Sequence, residues 1–247
     1  MSVGRVFWTQ NIRATLQAMR RLCLILAVFV TFSPWAGAAP TPAKRPTVAI
    51  MLFDYGGKAA ELEPLREGLA QMLISDLSGI PQVQIVERAR LKDLLAEQKL
   101  GRSGKLDSAT TARVGKLLGA RLLVLGSYFD LGANIRVDAR VVEVETGKVI
   151  RAAAANGPAV DFWTIEQELA GKLGNILGEA LPDIAPAKLP ARPRPPQMKT
   201  TVVATYGQAL AALDAGQKSQ AKALLAKVVE DAPGFTLAKS DLNALLQ

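Results

Sequence analysis

Residues 86–107 read VERARLKDLLAEQKLGRSGKLD, and two different proteins compete for this stretch. The basic, glycine-flanked Gly101-Arg102-Ser103-Gly104-Lys105 suggests a phosphate-binding loop, and with it a nucleotide-dependent enzyme. Such a loop has the form G-x-x-x-x-G-K followed by Ser or Thr, because its backbone N–H groups wrap the phosphates and the hydroxyl holds magnesium. Counting back from Gly104, the required glycine position holds Lys99, and Leu106 stands where the hydroxyl belongs. The pentapeptide also follows a helix instead of joining a strand to one. Leu91, Leu94 and Leu95, with Gln98 beside them, share one face of a charged segment over 87–100, the pattern of a surface helix laid on a sheet. Residues 101–107 are then a plain loop.

Working outward, the chain alternates strands and helices. Residues 47–53 (TVAIMLF) form a continuous apolar run, as expected of a strand buried on both faces. It ends in the turn signal Asp54-Tyr55-Gly56-Gly57. Leu62, Leu65, Leu69, Met72, Leu73 and Leu77 recur at helical spacing, with Glu61, Arg66, Glu67 and Gln71 read as the wet face. Gly79 and Pro81 stop that helix, and Val83, Ile85 and Val86 mark a second short strand. Beyond the loop a helix over 108–118 is expected, capped by Ser108, with Ala109, Ala112, Val114, Leu117 and Leu118 facing inward. Residues 120–129 (ARLLVLGSYF) give a third strand. Ile135, Val137, Ala139 and Val141 then alternate with Arg136, Asp138 and Arg140, a strand with one wet face. The apolar set jumps to Val142 and Val144, which suggests a bulge. Residues 149–155 are the fifth strand. A long helix follows, with Ile165, Leu169, Leu173, Ile176, Leu177, Ala180 and Leu181 as its buried stripe and Gly171, Gly174 and Gly178 read as close-packing positions against the sheet.

The two ends differ in character. Arg20-Arg21, the apolar run 22–32 (LCLILAVFVTF) and Ala36-Gly37-Ala38 have the order of a cleavable secretory signal over 1–38, with Met19 read as the start. Cys23 lies at the front of the apolar run and not behind it, so it does not read as the acylated cysteine of a lipoprotein. Residues 39–46 form a proline-containing leader. At the other end, 182–199 (PDIAPAKLPARPRPPQMK) holds six prolines and reads as a semi-rigid linker. In 200–247, Ala209, Gly216, Ala221, Leu225 and Pro233 have the spacing of a tetratricopeptide-like helical hairpin. One such unit cannot cover its own apolar face, so it is expected to dock on a neighbour.

Chemistry is narrowed by what is missing. The 247 residues contain no histidine and one cysteine, which lies in the signal, so the remainder has no imidazole or thiolate for metal ligation or for nucleophile–base pairs. Removing 1–38 takes away four arginines and leaves 26 basic against 22 acidic residues. That balance is too mild to argue for nucleic acid. Ser219-Gln220-Ala221-Lys222 fits S-x-x-K, but no S-D-N or K-T-G accompanies it. Asp54, Asp130 and Asp138 remain as carboxylates able to serve as acid or base, and their places at strand ends and on an alternating strand fit turn and solvent positions as well.

Several of these strings together resemble a known family. Val86-Glu87-Arg88 followed by Leu95-x-Glu97-Gln98, then Gly115-Lys116-Leu117-Leu118-Gly119-Ala120, then Val142-Glu143-Val144-Glu145-Thr146-Gly147, resemble the CsgG/HfaB family of the bacterial envelope over residues 47–150. The resemblance implies an α/β domain, and its namesake is a ring-shaped outer-membrane secretion channel for curli subunits. The expected architecture is a small mixed sheet of about five strands flanked by helices over 47–181, the linker 182–199, and the all-α hairpin over 200–247. The expected role is a non-enzymatic periplasmic protein, associated with the outer membrane, that works by protein–protein contact. No catalytic, cofactor-binding, metal or interaction residue is assigned. Envelope proteins and a homo-oligomer are the expected partners, with no nucleic acid, no cofactor and at most peripheral membrane contact. A curli-type channel component and a peptidoglycan-binding or hydrolysing protein are the alternatives.

Overall fold

A computed structural model describes residues 45–97, 108–181, 189 and 198–247. The segment read as a signal, most of the expected leader and linker, residues 98–107 and the side chains of Leu95, Ser108 and Ala109 lie outside the described residues. Strand β1 (Thr47–Ile50) is central and parallel to both its neighbours, β3 (Gln84–Ile85) and β4 (Leu122–Leu131). Strand β4 continues antiparallel into β5 (Asn134–Glu143) and β6 (Val149–Pro158), giving the order β3-β1-β4-β5-β6. The sheet has six strands, not five: Asp54–Tyr55, read from sequence as a turn, forms β2 and pairs in parallel with Ser127 and Tyr128. β4 outruns β1, and the chain leaving β1 fills the gap beside it.

Each sheet face has its own cover. Val48, Ile50, Val124, Tyr128, Val137 and Val141 face helices α1 (Leu65–Leu77) and α4 (Phe162–Ala180). Ala49, Met51, Leu123, Leu125, Val142 and Val144 pack with Val86 and Leu91, at the start of α2 (Arg88–Glu97), and with Val114 and Leu118 of α3 (Ser108–Leu118). A register shift does fall between Val141 and Val142, but the extra residue is Ile150 on β6. Val142 and Val144 are buried because α2 and α3 cover that end of an otherwise open face. The phase of α3 also differs from expectation: Leu117 is exposed, and Gly115 instead meets the Val144 side chain.

The C-terminal helices α5 (Thr200–Asp214), α6 (Lys218–Asp231) and α7 (Thr236–Leu246) join the main core. Residues 45–247 form one compact unit. Helix α1 is enclosed as a result, with α4 on one side and α5 on the other. Glu67, placed on a wet face by its spacing, is buried because α5 lies over it. The crossing is tight enough to require glycine. A Cβ at Gly207 would stand 1.7 Å from the Pro64 carbonyl oxygen, and one at Gly68 would stand 2.5 Å from the Val203 carbonyl oxygen. Gly171 is the opposite case. Its Cβ would meet nothing within 4 Å, so it is not the close-packing position its spacing suggested.

These two glycines give a paired prediction. Gly207→Ala forces two backbones apart and should destabilise the fold by about 3 kcal/mol or more. Gly171→Ala adds helix propensity in open space and should stabilise it by up to about 1 kcal/mol. Urea unfolding monitored by circular dichroism measures both.

Candidate interaction surface

Beyond the reach of α2 and α3, no described element covers the face of β4, β5 and β6. A groove of about 480 Å³ runs along it, floored by Leu125, Ser127, Phe129, Asp138, Arg140 and Ala152 and walled by Asp54, Tyr55 and Gly56. The two-residue turn Gly132-Ala133 sets the β4–β5 register that lines up this floor: Ser127 stands opposite Asp138, and Leu125 opposite Arg140.

The groove collects two of the three carboxylates weighed from sequence, and all three are engaged. Asp138 accepts hydrogen bonds from Arg136 Nε and Nη2 on its own strand, at 2.9 and 2.7 Å. Asp54 pairs with Arg66 at 3.4 Å, and Arg66 also reaches Glu63 at 2.8 Å. Asp130 lies on the other side of β4, where its carboxylate accepts from the Tyr55 hydroxyl. Tyr55 stacks on Tyr128 with ring centroids 5.0 Å apart, and the Tyr128 hydroxyl donates to the Leu62 carbonyl at 2.7 Å. Burial and the hydrogen bond to Asp130 raise the Tyr55 pKa, and burial pushes the Tyr128 phenol far above its ordinary value. Tyr55 and Asp130 fasten β2 to β4, Asp54 ties β2 to α1, and Asp138 is held within β5. On α6, Ala221 is buried while Ser219 and Lys222 are exposed, so the S-x-x-K stretch is helix surface. Among the described residues there is no cluster of metal-binding side chains and no helix long and apolar enough to cross a membrane.

A second polar centre joins α2 to the C-terminal helices. Arg88 Nη1 donates to Asp214 Oδ2 at 2.6 Å, with the two side chains 16 % and 10 % exposed. Lys92 Nζ donates to the Asp214 carbonyl at 2.8 Å. Nearby, the buried Tyr206 hydroxyl donates to Asp241 Oδ2 at 2.7 Å, tying α5 to α7. Burial raises the Asp241 pKa above 3.8, and the Tyr206 hydrogen bond and Arg88 oppose the shift. Sequence reading used Arg88 only within the Val86-Glu87-Arg88 string and gave it no partner, because Arg88 and Asp214 are 126 positions apart. A third buried group sits between α1 and α4, where Gln167 Nε2 donates to Asp76 and, at 2.8 Å, to Glu166 Oε2.

Residues 36–136 match the family model described as Curli production assembly/transport component CsgG. The CsgG match ends inside β5, so β6 and helices α4–α7 lie beyond it. It includes Arg88 but not Asp214. Among curated proteins, a putative adenylate cyclase 3 of Rhizobium meliloti (strain 1021) is 22% identical over 214 residues. That alignment takes in 86% of this chain but only 35% of the relative, so the chain spans about a third of the protein it matches. Similar solved structures include the LpoB C-terminal domain from Salmonella enterica, 10% identical, covering 46% of this chain and 83% of that one at a TM-score of 0.40. Lipoprotein GNA1162 from Neisseria meningitidis is 10% identical, with 45% and 79% coverage and a TM-score of 0.40. The PelC dodecamer from Paraburkholderia phytofirmans is 15% identical, with 55% and 91% coverage and a TM-score of 0.31.

Two outcomes follow from the second polar centre. Arg88→Ala leaves Asp214 with only the longer Lys92 contact in a half-closed site and should cost about 1–3 kcal/mol, measured by urea unfolding. Asp241 has a raised folded-state pKa, so its contribution to stability is fully present below its unfolded value and is lost as pH rises through the folded value. Asp241→Asn keeps an acceptor for Tyr206 and cannot ionise. Relative to the parent its melting temperature should therefore rise as pH increases across that window.

Proposed function

We propose that this chain is a non-enzymatic protein of the bacterial envelope that works by holding other proteins, with a CsgG-type α/β domain as its scaffold. The observation that carries the reading is the match of residues 36–136 to a family described by assembly and transport of curli components. The chemistry around the groove supports it. Asp54, Asp130 and Asp138 are each held by a neighbouring side chain, and the groove is broad and open, as suits a docking surface better than a water-excluding active site.

Interaction is favoured over the curli-type channel by the use already made of the strands. β4 and β5 are paired along their whole length and joined by the two-residue turn Gly132-Ala133. In this arrangement they leave no hairpin of about 9–11 residues per strand free to enter a bilayer. The helical hairpin α5–α6 has tetratricopeptide-like spacing and buries Ala209, Ala221 and Leu225. We read it as a cis-acting brace on α1 that leaves the sheet face for partners.

Fractionation of cells producing the full chain tests the location: release with the soluble periplasmic fraction or recovery with the envelope is expected, and retention in the cytoplasm overturns the proposal. Crosslinking in intact cells followed by purification should capture defined envelope proteins. Substituting Arg140→Glu in the groove should weaken that capture several-fold without lowering the melting temperature. Turnover of peptidoglycan fragments by the purified chain would instead establish the hydrolase alternative.

A further inference from the structure

Strand β6 ends the sheet, and among the described residues no strand pairs with its outer edge. The hydrogen-bond pattern says which groups point outward. Ala159 N–H donates to Ala133 O, so the odd-numbered residues of β6 face β5. The even-numbered Ala152, Ala154 and Asn156 then turn their N–H and C=O to the edge. Lys172 confirms the direction, since its Nζ reaches the Ala154 carbonyl at 2.6 Å. Natural edges of this length are usually blunted by proline, inward charge or a covering element. Between Ala152 and Asn156 this one has only alanine and asparagine, and Lys172, which also holds Glu168, engages one carbonyl, that of Ala154, whose second lone pair can still accept a partner N–H.

We infer that the β6 edge is an interface for a second copy of this chain, paired antiparallel about a two-fold axis at Ala154. Three observations select a second copy over a foreign strand. The run Ala153-Ala154-Ala155 reads the same in both directions about Ala154, so self-pairing there sets alanine against alanine without steric or charge conflict. In that register Arg151 stands opposite the other copy's Gly157, which has no side chain to obstruct it. The flank beside the edge carries Arg151 paired with Glu179 at 2.9 Å and Lys172 paired with Glu168 at 2.6 Å. Two such flanks meet with equal numbers of both charges and no net repulsion. Finally, the groove on the open face runs out at Ala152 on the edge strand. The same register sets Asn156 of a second copy beside Ala152, so the dimer extends the groove floor across the axis and supplies a polar side chain that one copy lacks there. A two-fold pairing uses both edges and closes on itself.

Sedimentation of the full chain across a concentration series should show a dimer. Ala154→Pro should halve the observed mass while leaving the melting temperature unchanged, because the N–H it removes points away from β5 and carries no bond within the chain. Cysteine pairs fix the register. In a Cys23→Ser background, Ala154→Cys should form a disulfide-linked dimer under mild oxidation, since directly opposed residues in a hydrogen-bonded pair lie about 5.5 Å apart. Ala152→Cys should not, because its two copies would be about 13 Å apart along the strands. A chain that stays monomeric throughout, or an oligomer that Ala154→Pro does not disturb, overturns the inference, as does crosslinking through Ala152→Cys in place of Ala154→Cys.

Discussion

The backbones of α1 and α5 touch where Gly207 lies against the Pro64 carbonyl and Gly68 against that of Val203, and the interior is organised around that crossing. With no side chain between them, the two helices come close enough for Val202, Val203, Tyr206 and Leu210 to enter the same core as the sheet. Helix α1 is thereby buried almost all round. A helix in that position needs apolar or small residues on nearly every face, and Leu65, Gly68, Leu69, Ala70, Met72, Leu73 and Ile74 provide them.

The crossing also determines where polar groups are placed. Once α5 is fixed on α1, its C-terminal end arrives beside α2, and Asp214 meets Arg88 and Lys92. An aspartate at a helix C-terminus is disfavoured by the helix dipole, and the two cations offset that cost. Arg88 is thus a structural tie between the CsgG-matched segment and the helices beyond it. Meanwhile α1, α4 and α5 crowd one face of the sheet, and the β4–β6 end of the other face stays open. The groove is a consequence of covering the two faces unequally.

Much of this was legible locally. The alternation of Ile135, Val137, Ala139 and Val141 against Arg136, Asp138 and Arg140 placed β5 with one buried face, and the run at 47–53 placed a strand buried on both. The errors came where a distant element changed the environment of a correctly placed one. Glu67 has helical spacing suited to solvent, but α5 covers it. Val142 and Val144 suggested a bulge, and a register shift does fall there, with its extra residue on β6, while their burial comes from α2 and α3 covering the wet face. Asp54 and Tyr55 looked like a turn because two residues carry no periodicity, and they became β2 only because β4 extends beside them. The groove could not be read at all, since its lining comes from β2, β4, β5 and β6 and no two neighbours in sequence define it.

By itself the sequence determined the alternation of strands and helices, the one-sided wetness of β5, and the absence of histidine and of any complete phosphate loop. These depend on residue identity and on periods of two and 3.6, which act over a few positions. Tertiary structure alone decided that the C-terminal helices close over α1, that Arg88 finds Asp214, and that β6 ends the sheet with no paired strand among the described residues. Each is a matter of which surfaces meet, and contacts between residues more than a hundred positions apart leave no periodic trace in the chain that makes them.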